Sequence, residues 1–331
     1  MADAPCPACG GPPPFERVES HHDRVGGRDY VLYLCKSCGV TFSEPREAVG
    51  PEWYEKAAPL RGKEARGLPA GDWRFRQFFA DRVPPGRLLD VGCGDGGFLA
   101  LAKDRGFRVS GFDYDERVAA RARARGLEDV RAEELSRFLA SRRPGEFDVI
   151  TLFDALEHVP EPGRLVDDLL RLLVPGGRIA ITLPNALRPL LLGREEHDYP
   201  PHHFTRWTPR AMRRFLEGKG FVIERQSADH LRLEFLSDHV FFYSLMPRAL
   251  AAAKKILFRG AAREGASVTQ LYAEGRGEGR LADPARRQAL VDATRDVFRV
   301  LFLPAAWLWR ARIRARQPDC GDCLYTLARR A

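Results

Sequence analysis

The 331-residue chain reads as an α/β protein built on a doubly wound sheet, with a small cysteine-rich head and a helical insertion near its end. Three observations point there. A strand-like run at residues 88–91 enters a glycine turn (Gly92, Gly94, Gly97) and leaves it as apolar helical sequence, Phe98 to Leu101. Four further β-rich segments, RVSGFD, FDVITLF, RIAITLPN and GFVIERQ, then alternate with helical stretches, the pattern of a parallel sheet with crossover helices. Two matched knuckles, CPACG and CKSCG, precede all of it. The length accommodates one large α/β domain and small appendages. The expected division is a head at 1–45, a helical linker at 46–80, the sheet domain at 81–228, a helical insertion or lid at 229–317, and a final strand at 318–331.

The head is governed by Cys6, Cys9, Cys35 and Cys38. In each knuckle a CxxC pair is followed by glycine, so a tight turn points both sulfurs at one ion. Four thiolates form the soft tetrahedral donor set that suits Zn²⁺, with no position left open for chemistry. The interval between knuckles is longer than usual, and the strand-like YVLYL directly before the second fits a zinc-ribbon hairpin. A redox pair is the alternative. So small a segment cannot bury enough apolar surface to fold alone, so the metal supplies its stability. Losing one thiol is therefore expected to unfold the ribbon and to spare the larger domain.

In the sheet domain the glycine turn lets backbone approach a ligand closely, a property shared by many nucleotide binders, dehydrogenases included. Asp90, inside the strand, separates them. Buried negative charge is unwelcome beside a pyrophosphate and acceptable beside a cation. Downstream come RVSGFDYDE with Asp113 at the strand end, a helix at 118–125, VRAEEL, FDVITLFDALEHVPEP, a helix at 165–173, the turn VPGG and the strand RIAITLPN. With these segments in order, residues 80–228 and the last few residues resemble the class I S-adenosylmethionine-dependent methyltransferases. The pairing of LEHVPEP with LVPGGRIAITLPN resembles the small-molecule members, typified by the ubiquinone-pathway O-methyltransferases.

The resemblance implies a seven-stranded Rossmann-like sheet. It also implies S-adenosylmethionine held by Asp90, Gly92, Cys93, Gly94, Gly97, Asp113, Tyr114, Glu133, Phe153 and Asp154. Asp113 would accept from the ribose hydroxyls, and Glu133 or Glu134 would lie near the adenine edge. The Asn/Asp-Pro-Pro-aromatic tetrad of enzymes that methylate exocyclic base amines is absent, LPNA standing in its place, which argues against DNA base methylation. Similar ribbons head bacterial methyltransferases that resemble those acting on sugars and secondary metabolites.

Ligands of a doubly wound sheet bind beyond the carboxyl ends of its strands. The rim segments here are the glycine turn, DALEHVPEP and the long PNALRPLLLGREEHDYPPHHFTRWTP, after which Thr208 reads as an N-cap and Pro209 as the first residue of a helix running to 218. Methyl transfer to a hydroxyl needs alignment and removal of a proton, and His203, His202 and His158 are the candidate bases. Asp154, Glu157 and His158 have i, i+3, i+4 spacing and share a face if this turn is helical. With His203 they resemble the constellation of the small-RNA 3′-terminal 2′-O-methyltransferases, which holds a divalent ion against two vicinal hydroxyls. That resemblance implies a Mg²⁺-class ion at Asp154, Glu157, His158 and His203. The chain departs from the pattern in its first acid and in the aromatic after the histidine, and the plainer reading is that Glu157 and His158 brace the loop.

The net charge of +8 comes overwhelmingly from Arg, with seven Lys among 53 basic residues. Alongside abundant Ala, Gly and Pro, that reflects coding composition as much as an acidic partner. Residues 229–317 are expected to wall the acceptor pocket. Trp307 and Trp309 beside Arg310, Arg312, Arg314 and Arg316 give peripheral membrane contact as the alternative. Cys320 and Cys323 form a third CxxC, which reads as part of the last strand. No signal-peptide pattern and no long apolar run are present, so a cytoplasmic protein with reduced thiols is expected. The expected function is methyl transfer from S-adenosylmethionine to a small-molecule hydroxyl, on a sugar, glycolipid or quinone-like acceptor. Its rivals are RNA 2′-O-methylation and a non-catalytic, ligand-binding interaction protein. The protein partner of the ribbon is not legible.

Overall fold

The computed structural model describes residues 4–47, 49–50, 68–188, 198–229, 302–316 and 319–331, with isolated positions 53, 56, 57, 236 and 300. The chain divides into a unit of Met1–Asp229 with Asp319–Ala331, and a second unit of His230–Pro318. Most of the second unit, and with it the expected lid, lies outside the described residues; 302–316 is helical, Pro304 included. None of the described helices is long and apolar enough to cross a membrane.

The described residues of the first unit form two sheets. The larger is built from β4 (Arg87–Val91), β5 (Arg108–Asp113), β6 (Val130–Ala132), β7 (Phe147–Phe153), β8 (Leu173–Pro184), β10 (Phe221–Ala228) and β11 (Cys323–Arg330). Their order is β10-β11-β8-β7-β4-β5-β6, the seven strands that the resemblance implied. Strands β8, β7, β4, β5 and β6 pair in parallel, and β11 is antiparallel to both of its neighbours, so β10 points the same way as the rest. The strand order reverses beside β4, which places the crevice at its carboxyl end.

Among the described residues, six helices flank the large sheet: α1 (Trp73–Ala80), α2 (Gly97–Lys103), α3 (Glu116–Ala124), α4 (Leu135–Ser141), α5 (Pro162–Leu172) and α6 (Pro209–Gly218). Successive strand residues point to opposite faces, so Leu88 and Leu89 serve different cores. Leu89, Ile150, Ile179 and Ile181 pack with Leu165 and Val166 of α5 and Met212 and Phe215 of α6. Leu88, Val149 and Ala180 pack with Phe98 and Leu99 of α2 and Phe75 and Phe78 of α1. Pro209 opens α6, and the Thr208 hydroxyl caps it by accepting from the Ala211 amide at 3.1 Å.

The smaller sheet contains β1 (Glu16–Asp23), β2 (Arg28–Leu34), β3 (Thr41–Glu44) and β9 (Thr205–Arg206), in that order. The ribbon is thus not a separate body at 1–45, because its fourth strand comes from the rim of the large domain. Two local expectations also change. VPGG does not precede a strand but lies inside the continuous β8. Only Leu156–His158 forms a turn after β7, of 3-10 type, and Asp154 stands before it with φ 52°.

Candidate functional site

The glycine turn leaves β4 with three left-handed glycines at alternate positions, Gly92, Gly94 and Gly96, at φ 79°, 55° and 76°. A Cβ on Gly94 would meet nothing within 4 Å, so the backbone there faces open space. Gly96 is different: its Cβ would lie 2.4 Å from Leu127 Cδ1 and 2.9 Å from Ala122 Cβ. It seats the start of α2 against α3, a packing requirement that the Gly92, Gly94, Gly97 spacing does not reveal. The Cys93 side chain is buried within the turn, and burial raises its thiol well above the ordinary range.

Asp113, at the end of β5, is 7% exposed and holds the turn: its carboxylate accepts from the Gly94 amide at 2.9 Å and the Asp115 amide at 3.0 Å. Burial raises its pKa, against the lowering effect of these amides. Asp90 is 2% exposed and accepts from Thr151 Oγ1 at 2.6 Å. Burial pushes it up to about 7 despite that bond, with Asp113 adding a second negative charge nearby. Two buried carboxylates flanking one turn suit a cationic ligand better than a pyrophosphate.

Glu133 directly follows β6 and pairs with Arg137 at 3.4 Å, and Tyr114, 61% exposed, follows β5. The Phe153 ring is committed to the core, 4.7 Å from the ring of Phe98 and 5.7 Å from that of Phe75.

Arg74 of α1, which sequence reasoning passed over, enters this rim. Its guanidinium reaches Asp154 Oδ2 at 2.5 Å and Asp72 at 3.0 Å, while Nε is buried without a partner. Burial works against its charge, but Asp154 and the other anionic neighbours outweigh it and raise its pKa. Asp154 also accepts from Thr182 Oγ1 at 3.0 Å, so its carboxylate is engaged on both sides.

Beyond the 3-10 turn, His158, His202 and His203 converge, each offering a ring nitrogen within 4.8 Å of the others. The His158 and His202 centroids are 4.4 Å apart, and those of His202 and His203 are 4.6 Å apart. His158 Nδ1 lies 2.7 Å from the His202 carbonyl oxygen, which can only accept, so Nδ1 carries the proton and Nε2 keeps a lone pair. Burial lowers the His158 pKa, keeping the ring neutral. His203 Nδ1 faces Asp198 at 3.7 Å, and Asp198 is paired with Arg188.

Glu157 is 1% exposed, both of its carboxylate oxygens lack a partner, and burial raises its pKa well above the usual range. It borders a space of about 10 Å³ shared with Arg188, Asp198 and His203, room for about one water. Of the set implied for a Mg²⁺-class ion, Asp154 is engaged by Arg74 and Thr182, and the ring nitrogens that come within 4.8 Å of one another are those of His158, His202 and His203. Three imidazoles suit a borderline ion of the zinc class, whereas Mg²⁺ takes oxygen ligands.

In the ribbon the four thiols do converge. Cys6 Sγ lies 3.8 Å from Cys38 Sγ, Cys9 Sγ lies 3.8 Å from Cys35 Sγ, and all four sulfurs fall within 4.8 Å of one another. A tetrahedral Zn²⁺ with bonds of about 2.3 Å demands sulfur separations of about 3.8 Å, so the donor set fits. Cys320 and Cys323 are both buried; Cys323 begins β11, with Sγ 3.9 Å from Asp154 Oδ1. Asn185 of LPNA donates to the Asp319 and Gly321 carbonyl oxygens at 2.6 and 2.9 Å, tying the end of β8 to the start of β11.

Residues 64–226 match a family model described as a methyltransferase domain. The ubiquinone biosynthesis O-methyltransferase of Idiomarina loihiensis is 35% identical over 129 residues, 38% of this chain and 51% of that protein. The enzyme of the same description from Aeromonas salmonicida is 31% identical over 208 residues, 56% of this chain and 82% of that protein. The chain thus spans about half the length of the first relative and most of the second. Among solved structures, a SAM-dependent methyltransferase from Archaeoglobus fulgidus has 17% identity and a TM-score of 0.45, covering 77% of this chain and 91% of that one.

Proposed function

This chain belongs to the class I S-adenosylmethionine-dependent methyltransferases, and we propose that it methylates a hydroxyl of a small, quinone-like or sugar-like acceptor, with the His158, His202 and His203 cluster receiving the proton. The cluster itself carries this reading. Its rim segment adjoins the glycine turn, since a Cβ on Gly92 would lie 3.0 Å from Ala155 Cβ, one residue before the 3-10 turn that bears His158. The quinone-like class is suggested by the two curated relatives, whose descriptions name ubiquinone biosynthesis.

The residues present fit the cofactor. Asp113 would hold the ribose, Asp90 would supply negative charge beneath a sulfonium, and Arg74, with its spare Nε–H, would take the methionine carboxylate. When bound, S-adenosylmethionine supplies an electrophilic methyl group. That methyl group would be the electrophile for an in-line displacement by the acceptor oxygen, the sulfur leaving with the bonding pair. The hydroxyl proton passes to a neutral imidazole, and His158 Nε2 has the free lone pair for it. Four thiolates at Cys6, Cys9, Cys35 and Cys38 would hold a closed zinc that takes no part in chemistry.

The test is turnover of S-adenosylmethionine with catechol-type and sugar acceptors, in the wild type and in His158→Ala. The variant should keep its affinity for S-adenosylhomocysteine and lose about 10²–10⁴-fold in rate. Wild-type turnover unchanged by EDTA, with ribbon zinc retained, leaves the proton with imidazole. A His158→Ala enzyme as fast as wild type refutes the assignment.

A further inference from the structure

The ribbon is joined to the rim at two places, and each joint carries one half of the histidine cluster. The second knuckle, Cys35 and Cys38, leads into β3, which pairs with β9: Thr41 lies opposite Arg206 and Phe42 opposite Thr205. The Ser43 amide donates to the Phe204 carbonyl oxygen at 2.9 Å, in the residue directly after His203. The first knuckle, Cys6 and Cys9, rests on the start of α5, where the Gly163 amide donates to the Pro7 carbonyl oxygen at 2.9 Å. A Cβ on Gly163 would stand 2.3 Å from the Ala8 carbonyl oxygen, so only glycine permits this approach. Gly163 follows His158 along the same rim segment, EHVPEPG.

The ribbon also grips the loop ahead of β9. Tyr199 Oη donates to Glu19 Oε2 at 3.1 Å, the Arg206 guanidinium pairs with the same carboxylate, and the His21 ring stacks on Tyr199 at 4.2 Å. Glu19 thus holds both ends of the segment that bears His202 and His203. The packing is continuous as well, since Cys6, Ala8, Cys38, Val40 and Phe42 share one buried cluster with Leu156, Leu165 and Trp207. The glycine turn and α2 pack chiefly in the other cluster, through Cys93, Phe98 and Leu99.

We propose that the ribbon is the positioning element of the acceptor site: a metal at Cys6, Cys9, Cys35 and Cys38 locks the two knuckles together and thereby sets His158 against the His202–His203 pair, leaving the S-adenosylmethionine cleft independent. The inference rests on the histidine cluster being the acceptor site. Thiol loss is then not silent in the large domain, contrary to the expectation from sequence. The first knuckle carries the His158 segment and the second carries β9, so releasing the four thiols uncouples the two. Glu19 is a positioning residue acting through Tyr199 and Arg206.

The experiment uses the full chain as wild type, as Cys35→Ser/Cys38→Ser and as Glu19→Gln. Metal content, calorimetry with S-adenosylhomocysteine, and amide hydrogen exchange of peptides spanning 156–163 and 198–207 are measured together. The double variant should lose its zinc and exchange about tenfold faster or more in both peptides, with affinity for S-adenosylhomocysteine kept within about twofold. Glu19→Gln should keep its zinc and that affinity, and exchange faster in 198–207 alone. Unchanged exchange at 156–163 and 198–207 in a zinc-free double variant overturns the proposal. So does loss of S-adenosylhomocysteine binding in that variant, or protection of 198–207 unaltered in Glu19→Gln. Failure of the wild type to bind S-adenosylhomocysteine would instead refute the methyltransferase reading, so the two failures are distinct.

Discussion

Replacing Asp113 with alanine removes a carboxylate that the fold keeps buried at a cost. Its two oxygens already take the Gly94 and Asp115 amides, at 2.9 and 3.0 Å, and a carboxylate oxygen carries a second lone pair. In the proposed complex these lone pairs accept the two ribose hydroxyls. A hydrogen bond to a charged group contributes about 1.5–3 kcal/mol, so two amount to roughly 3–6 kcal/mol. The expected loss of affinity for S-adenosylhomocysteine is then roughly 10²–10⁴-fold. Asp113 is 7% exposed, so little of this is screened by solvent. Isothermal calorimetry reads the affinity, and a thermal melt verifies that the variant is folded. Asp113→Asn should fall in between, since its amide nitrogen cannot accept from the Gly94 amide. A folded Asp113→Ala protein that binds S-adenosylhomocysteine within about threefold of wild type would refute the argument.

Two further outcomes follow from the same cleft. Burial raises Asp90 from 3.8 to about 7, so the native state holds a proton there that the unfolded chain has released. That stabilisation is complete below pH 3.8 and is lost as pH rises through about 7. Urea unfolding should show wild-type stability declining by up to about 4 kcal/mol over that window, an order-of-magnitude figure, and Asp90→Asn should flatten the decline; equal pH profiles would contradict the burial argument. Arg74→Met should weaken S-adenosylhomocysteine binding roughly tenfold to a hundredfold by removing the proposed carboxylate contact. Unaltered affinity would return Arg74 to a purely structural role beside Asp154.

Much of the sheet domain was legible because its signals are local. A strand running into glycines, an aspartate ending the next strand, and Thr208-Pro209 opening a helix each depend on backbone geometry over a few residues. Asp154, Glu157 and His158 share a face only in a helical turn, which this segment does not form. Asp154 has φ 52° and only three residues follow in a 3-10 turn, so no α-helical face exists to align them. Arg74 carried no signal, since nothing in WRFRQFFA distinguishes the arginine that turns inward from Arg76.

By itself the sequence determined the α/β class, the glycine turn with Asp90 and Asp113 around it, and a ribbon with four thiols spaced for one ion. Only the tertiary structure decided that Thr205 and Arg206 complete the ribbon's sheet, that His202 joins His158 and His203 while Asp154 turns to Arg74, and that Gly163 lies under the first knuckle. The physical reason is range. Turns and caps are set by neighbours along the chain, whereas a two-residue strand or a lone arginine acquires its partner only when distant segments are packed into one core.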